Sequence, residues 1–527
     1  MRSVMSNSFN SVARANTPRS HFNRSHGLKT TFDCDYLYPI LVDDIIPGDT
    51  FNVNCHFFCR LATPEFPIMD NMYLETFFFF VPYRLVWDNF KKMHGEQVDP
   101  ADSIDYSVPA LRNTTTEDLT NATVFDYLCD YMGLPHKASV DISEISALPF
   151  RAYNLIYNEW FRDQNMQDSR NVPTDDGPDG GHADYEILKR GKRHDYFTAC
   201  LPWPQKGDAV TVSLGTRANV TFDGDRATGY NAGAYSDADA AWATFKTAAA
   251  DATLGTGTVN ANGQLYADLS AATGLNINDI RLAFQTQRLL ERDARAGTRY
   301  NEHILAHYGV VVPDFRVQRP EFLGGGSSPI NVTPVAQTTY QGTPTAEDGK
   351  GSLAAFGTVS GRHGFTKSFV EHGVLIGLVN VRGDITYSQG LERYWSKSTR
   401  YDFYYPELAH IGEQAVLNKE IWYNNDANDD LVFGYIPRYE EYRFKPSRLT
   451  SLMRPDNAAS LSAWHLSEDF ASLPSLGDTF IRSNTGVPLD RCIQVPTEPQ
   501  FIGDFYFDMK CARPLPLFGT PGNLDRL

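Results

Sequence analysis

The sequence predicts a mainly β protein: a β-sandwich with long helix- and loop-containing insertions, of which a jelly roll is one case. Three observations carry this. Strand-like runs rich in aromatic and β-branched residues stand towards both ends of the 527-residue chain. Helical periods and long polar stretches lie between them. Aromatic residues reach 13%, led by 33 Phe and 27 Tyr, a load that suits thick β cores and large protein–protein contacts.

Taken in order, residues 1–32 show neither a helical nor a strand period. They are rich in Ser and Asn and contain no Asp or Glu. The net charge is −17 overall and +5 in this segment, which leaves −22 on the rest. The segment reads as a mobile basic arm. Such an arm neutralises phosphates by counterion release, and Phe22 could stack on a base. The candidate DNA-binding residues are therefore Arg2, Arg14, Arg19, His21, Phe22, Arg24 and Lys29. The acidic remainder argues against a free-standing DNA-binding protein, because most of its surface would repel DNA.

Phe32–Phe80 reads as β, with strands in Thr50–Leu61 and Met72–Trp87 punctuated by Pro67 and Pro82. Helices are expected over Ala122–Met132, with Val124, Leu128 and Tyr131 on one side, and over Leu148–Phe161, with Tyr153, Ile156 and Trp160 together. Residues 207–274 differ in composition: 17 Ala, 9 Gly and 10 Thr make up more than half of 68 positions. So little apolar bulk cannot build a deep core, and the segment reads as a surface insertion, with some order expected in Ala209–Leu214 and in the AAWATFKTAAA stretch. Ile277–Ala296 is the strongest helix, with Asn278 as its cap and Gly297 at its end. Strands resume at His372–Tyr387 and at Gln500–Cys511, where Phe501, Phe505 and Phe507 alternate with polar partners.

Several function classes are disfavoured. No run of 18 apolar residues occurs, so no transmembrane helix is expected. The first ten residues lack the apolar stretch of a secretory signal. Seven cysteines are an odd and sparse set, which points to free, mostly buried thiols in a reducing compartment. Gly324–Gly326 lacks the Lys-Ser/Thr of a phosphate-binding loop and reads as a flexible turn. His303 and His307 lie one helical turn apart, but Ile304 stands where a zinc protease needs Glu, so their expected role is structural. Cys55 and Cys59 share a strand face with no partner cluster for zinc. Arg382-Gly383-Asp384 sits in an apolar run where a tight turn suffices to explain it. No two carboxylates are paired as acid and base by their spacing. Neither an enzyme, a cofactor nor a metal is expected. The competing reading is a β-sandwich hydrolase or carbohydrate-binding protein.

Five ordered blocks carry a resemblance: NSFNSVARANTPRSHFNRSHGLKTTF, IIPGDTFNVNCHFFCRLATPEFPIMDNMYLETFFFFVPYRLVWDNF, FQTQRLLERDARAGTRYNEHILAHYGV, RPEFLGGGSSPINV and DFYFDMKCARPLPLFGTPGNL. Together they resemble the major capsid protein of gokushoviruses, a subfamily of Microviridae infecting bacteria. The resemblance implies an eight-stranded antiparallel jelly roll of the viral capsid type. It implies self-assembly of sixty copies into a T=1 icosahedron around circular single-stranded DNA, with a small basic DNA-binding viral protein as an interior partner. The implied location is the virion, assembled in the bacterial cytoplasm. Residues 1–32 then become an interior-facing arm, 33–206 and 275–527 the shell domain, and 207–274 a three-fold protrusion that contacts a bacterial surface receptor.

Overall fold

The computed structural model describes residues 18–100, 103–112, 117–120, 123–211, 277–313, 318–338 and 353–518, together with short strands within 219–268. The chain forms two compact units, Met1–Pro204 with Ala294–Leu527, and Gln205–Asp293.

The first unit is built on two antiparallel sheets. In chain order its strands are β1 (Ser20–Asn23), β2 (His26–Phe32), β3 (Tyr38–Ile45), β4 (Thr50–Leu61), β5 (Met72–Pro82), β6 (Glu321–Pro329), β7 (Asn331–Ala336), β8 (Leu353–Ser368), β9 (Gly373–Gly383), a hairpin of β10 (Glu413–Leu417) and β11 (Val432–Pro437), and β12 (Phe501–Arg513). One sheet runs β1–β12–β4–β8–β7, with β2 beside β1 along the same edge of β12; the other runs β6–β5–β9–β3. The pairs nest. β2 pairs with the last strand, β3 with β9, β4 with β8, and β5 with β6. Eight strand runs paired in this nested antiparallel order are a jelly roll, as the sequence led one to expect.

Burial follows which faces are covered. In β4 and β12 alternate residues are buried, because only one side meets the core. Every residue of β9 is buried, and β5 is nearly so. Between the sheets lie Phe51, Phe57, Phe78, Leu375, Phe501, Phe505 and Phe507. Behind the second sheet, Phe79, Val81, Val374, Ile376 and Leu378 pack against two helices, α1 (Val124–Met132) and α2 (Leu148–Ile156). The unbroken apolar runs TFFFFVP and GVLIGLV are thus explained by burial on both sides.

Local chemistry sets the helices. Thr123 accepts from the Asp126 amide at 3.3 Å while Asp126 accepts from the Thr123 amide at 2.8 Å, a capping box that starts α1. The buried stripe of α1 is Phe125, Leu128 and Cys129; Val124, expected on that side, is exposed. The helix Leu148–Phe161 expected from the sequence is α2 followed by a π-helical turn, Tyr157–Phe161. Two further helices, α3 (Ile277–Arg295) and α4 (Tyr300–Tyr308), flank Gly297, whose φ of 96° ends the first of them. Asn278 lies inside the first turn of α3 rather than in front of it.

Three other expectations are corrected. Residues 20–32 are not devoid of strand: they form β1 and β2, because β12 offers an unpaired edge. The Gly324–Gly326 triplet is not a turn but the middle of β6, paired with Thr76–Phe78. A Cβ on Gly325 would come within 2.1 Å of the Thr76 carbonyl, and one on Gly326 within 2.4 Å of the His363 ring, so glycine permits the close approach of β6. Arg382 and Gly383 end β9 opposite Tyr73 and Met72, so the first two residues of that tripeptide are strand rather than turn, and Asp384 follows directly.

Buried charge ties the insertions to the sheets. Glu75 on β5 accepts from Arg382 at 3.0 Å, lies 3.6 Å from Arg193, and is bonded to Arg190. Burial alone would raise its pKa, but the three guanidiniums outweigh that and hold it below the ordinary carboxylate value. Arg151 and Asp179, both fully buried side chains, form a bidentate pair at 2.9 and 2.5 Å inside the first insertion, the connection between β5 and β6. Asp35 accepts from Ser483 Oγ and the amides of Thr485 and Gly486, anchoring the second insertion, which lies between β9 and β12. In Gln205–Asp293 the described strands are three short antiparallel pairs: Asn219–Phe222 with Leu265–Asp268, Ala234–Ser236 with Ala241–Ala243, and Phe245–Thr247 with Ala250–Ala252. The strands Ala241–Ala243 and Phe245–Thr247 fall in the AAWATFKTAAA stretch. Residues 209–211 are not strand, and 212–214 lie outside the described residues.

Replacing Glu75 by Gln strands two buried guanidiniums, so stability at pH 7 should fall by about 3–5 kcal/mol. Because the folded pKa of Glu75 is depressed below its ordinary 4.5, its contribution is present above that pH and is lost as the pH drops through the folded value. Thermal melts of Glu75→Gln and the parent chain should therefore differ most near neutrality and converge in acid.

Candidate assembly and nucleic-acid surfaces

The candidate DNA-binding residues separate once placed. Arg2 and Arg14 lie outside the described residues. Arg19 is exposed and donates to the Gly48 carbonyl and to Thr50 Oγ1, both uncharged. His21 is exposed on β1. Phe22 is half-buried and packs against the inter-sheet core. Arg24 grips Asp43 with both terminal nitrogens, at 2.5 and 2.9 Å. Lys29 reaches Asp504 at 2.9 Å in an exposed pair, which contributes little to stability. The structure therefore brings Arg19 and His21 to the open end of a sheet edge and turns Phe22 towards the core. No sequence signal marked the last outcome, since the pairing partner of β1 lies 489 residues away at Cys511.

A second surface was not anticipated. The segment after β9 exposes Tyr394, Trp395, Tyr401, Phe403, Tyr404 and Tyr442, each at least half accessible. Lys397 sits among them, with its ammonium 4.3 Å from the Tyr442 ring centre and 5.3 Å from that of Phe403. Aromatics this exposed and this clustered mark a contact surface rather than a solvated one. The richness of YWSKSTRYDFYY in aromatics was visible in the sequence, but not whether it faced inward.

Among the described residues, chemistry of the catalytic kind does not assemble. His363 lies between the sheets, with its ring nitrogens 2.8 Å from Thr76 Oγ1 and 3.2 Å from Ser328 Oγ; burial lowers its pKa. A cavity of about 340 Å³ is lined by Arg84, Phe90, Lys91, His94, Glu96, Glu371 and His372. Its Glu371 is spent on Arg84 at 2.7 Å. The rings of His303 and His307 on α4 lie 4.4 Å apart between centres, with their planes tilted by 35°. All seven cysteines are buried and unpaired, and burial pushes the Cys55 and Cys59 thiols up to about 12, so they are neutral and inert at pH 7. Among the described residues, no helix is long and apolar enough to cross a membrane.

A nested jelly roll with covered insertions, buried inert thiols and an exposed aromatic surface defines a structural protein of the shell-forming class. The comparisons place it further. The capsid protein (F protein) family matches residues 10–523, and the chain belongs to that family. It is 45% identical to capsid protein VP1 of Bdellovibrio phage phiMH2K over 98% of both chains. It is 39% identical to capsid protein VP1 of Chlamydia phage 1, over 99% of this chain and 98% of that one, and 34% identical to capsid protein VP1 of Spiroplasma virus 4, over 96% and 95%. The gokushovirus resemblance is borne out. The protein is a component of the virion and self-assembles into a shell; membership of a capsid family makes it structural and not an enzyme.

Trp395→Ala and Tyr401→Ala should each leave the melting temperature of the unassembled chain nearly unchanged. Particle yield, measured by sedimentation, should drop sharply, since one central aromatic is worth about 2 kcal/mol or more per contact and is repeated around the shell.

Proposed function

We propose that sixty copies of this chain close into a T=1 icosahedron around circular single-stranded DNA, with the N-terminal segment inside and the unit Gln205–Asp293 outside, forming the three-fold protrusion that meets the bacterial receptor. The observation that carries the reading is the jelly roll itself, complete with its exposed aromatic surface, in a chain alike over its full length to capsid proteins of three phages. Many modest contacts suffice in a closed shell, so no single interface need be strong. Assembly in the host cytoplasm agrees with the buried reduced thiols.

The inner role rests on charge. Residues 1–32 hold five cations and no acid. Sixty such segments would neutralise roughly 300 phosphates if each charge met one. Arg24 and Lys29 already answer Asp43 and Asp504, which reduces the figure to roughly 180. A genome of several thousand nucleotides needs more, so a small basic viral protein shares the interior. The outer role rests on composition and separateness: an Ala/Gly/Thr-rich segment within a compact unit of its own.

Deleting residues 2–17 spares β1 and β2. Particles of this variant should form in near-normal number but protect less DNA from nuclease; an unchanged DNA content would remove the arm from the reading. Replacing 209–273 by a short linker should permit assembly while lowering adsorption to host cells at least tenfold. Unimpaired adsorption would end the receptor role.

A further inference from the structure

The two sheets differ in what covers their outer faces. Helices α1 and α2 cover the β6–β5–β9–β3 sheet. The outer face of the other sheet is open: Phe58 is 55% exposed, Ile502 63% and Tyr506 51%. These side chains stand on β4 and β12, inner strands of their sheet, where an exposed aromatic has no folding role.

Register shows what surrounds them. Phe58 lies opposite Asp504 on β12, and Tyr506 lies opposite His56 on β4. The two rings are therefore diagonal neighbours on adjacent strands, about 7–8 Å apart at the backbone. Arg362 on β8 extends the Tyr506–His56 row, and Arg60 flanks Phe58 two residues along β4. Lys29 and Lys510 stand on the same face, opposite Asp504 and Asn52. The alternating strand residues on this face thus carry four cations against two carboxylates; Lys29 pairs with Asp504 at 2.9 Å and Lys510 with Asp508 at 3.8 Å, which leaves Arg60 and Arg362 as the excess in a chain whose net charge is −17. The strand β1, which follows the basic residues 1–17 in the sequence, lies at the edge of this same sheet.

We propose that this sheet face is a platform for single-stranded nucleic acid, with bases stacked on Phe58 and Tyr506 and phosphates met by Arg60 and Arg362. The inference rests on the reading that the shell encloses single-stranded DNA, and it assigns this face to the interior. Aromatic rings spaced along a basic surface bind unpaired bases irrespective of sequence, because every base has a stacking face. Duplex DNA hides those faces and gains only the charge term. A contact between copies would favour a surface poor in lysine and acid, and this one carries Lys29, Lys510, Asp504 and Asp508.

The test uses the full-length, unassembled chain and a short fluorescent oligothymidylate, read by anisotropy. Phe58→Ala with Tyr506→Ala should weaken binding about tenfold or more, while Phe58→Tyr with Tyr506→Phe should bind as the parent does. Arg60→Gln with Arg362→Gln should reduce the slope of log affinity against log salt by roughly 1.4, at about 0.7 per lost contact to a single strand. Because all four positions are exposed, melting temperatures should stay near that of the parent. Equal binding by the double alanine variant overturns the platform. So does loss of binding on deleting residues 2–17 alone with the alanine variant unaffected, which leaves the arm as the contact. A double alanine variant that binds the oligomer normally but no longer forms particles overturns it in favour of a contact between copies. A parent chain that binds no oligomer also overturns it, while nuclease-protected DNA in intact particles separately decides whether the shell encloses DNA.

Discussion

Two sheets must bury their facing side chains against each other, and β5 and β9 must bury their other faces as well. This double demand governs the rest of the molecule. A two-layer sandwich satisfies only one side of each sheet. The long connection after β5 supplies the missing layer, with Phe125, Leu128, Phe150 and Ile156 closing over Phe79 and Ile376. The insertion is therefore part of the core, and this unit of the chain is three layers deep on that side.

Added layers bring polar backbone and charge inside, where each group needs a partner. Glu75 is the clearest instance. It sits on β5 within the covered side and gathers Arg190, Arg193 and Arg382 from the insertion and from β9. Asp35 does the same for the second insertion by accepting two amides and a hydroxyl. Such groups contribute less net energy than the aromatic core, yet they specify where an insertion docks, because a displaced one leaves a buried charge unmatched. The uncovered sheet has the opposite character. Along β4 and β12 its outer face alternates with buried positions and carries cations and rings.

Much of this was legible. Thr50–Leu61 and Gln500–Cys511 read as strands because their alternation is local and matches a half-buried sheet. The five ordered residue blocks named the shell type, and likeness to viral capsid proteins over nearly the whole chain agrees. The failures share a cause. Gly324–Gly326 looked like a turn because glycine usually signals one; here it meets the Thr76 carbonyl and His363, contacts made across more than 200 and about 40 residues of chain respectively. Phe22 looked free to stack on a base because its neighbours are polar, yet β12 draws it against the core. Asn278 satisfied a capping pattern that the helix overruns.

The sequence by itself determined the β class, the alternating and the doubly buried strands, the charge contrast between residues 1–32 and the remainder, and the compositional break at 207–274. Each is a property of contiguous residues, and periodicity or composition reports it directly. Only the tertiary structure decided the nested pairing of first strand with last, the edge that captures residues 20–32, the three arginines on Glu75, and the meeting of Phe58 with Tyr506 on one open face. These depend on register between strands hundreds of residues apart. Register is set by the summed fit of two whole surfaces, and no single stretch of chain contains it.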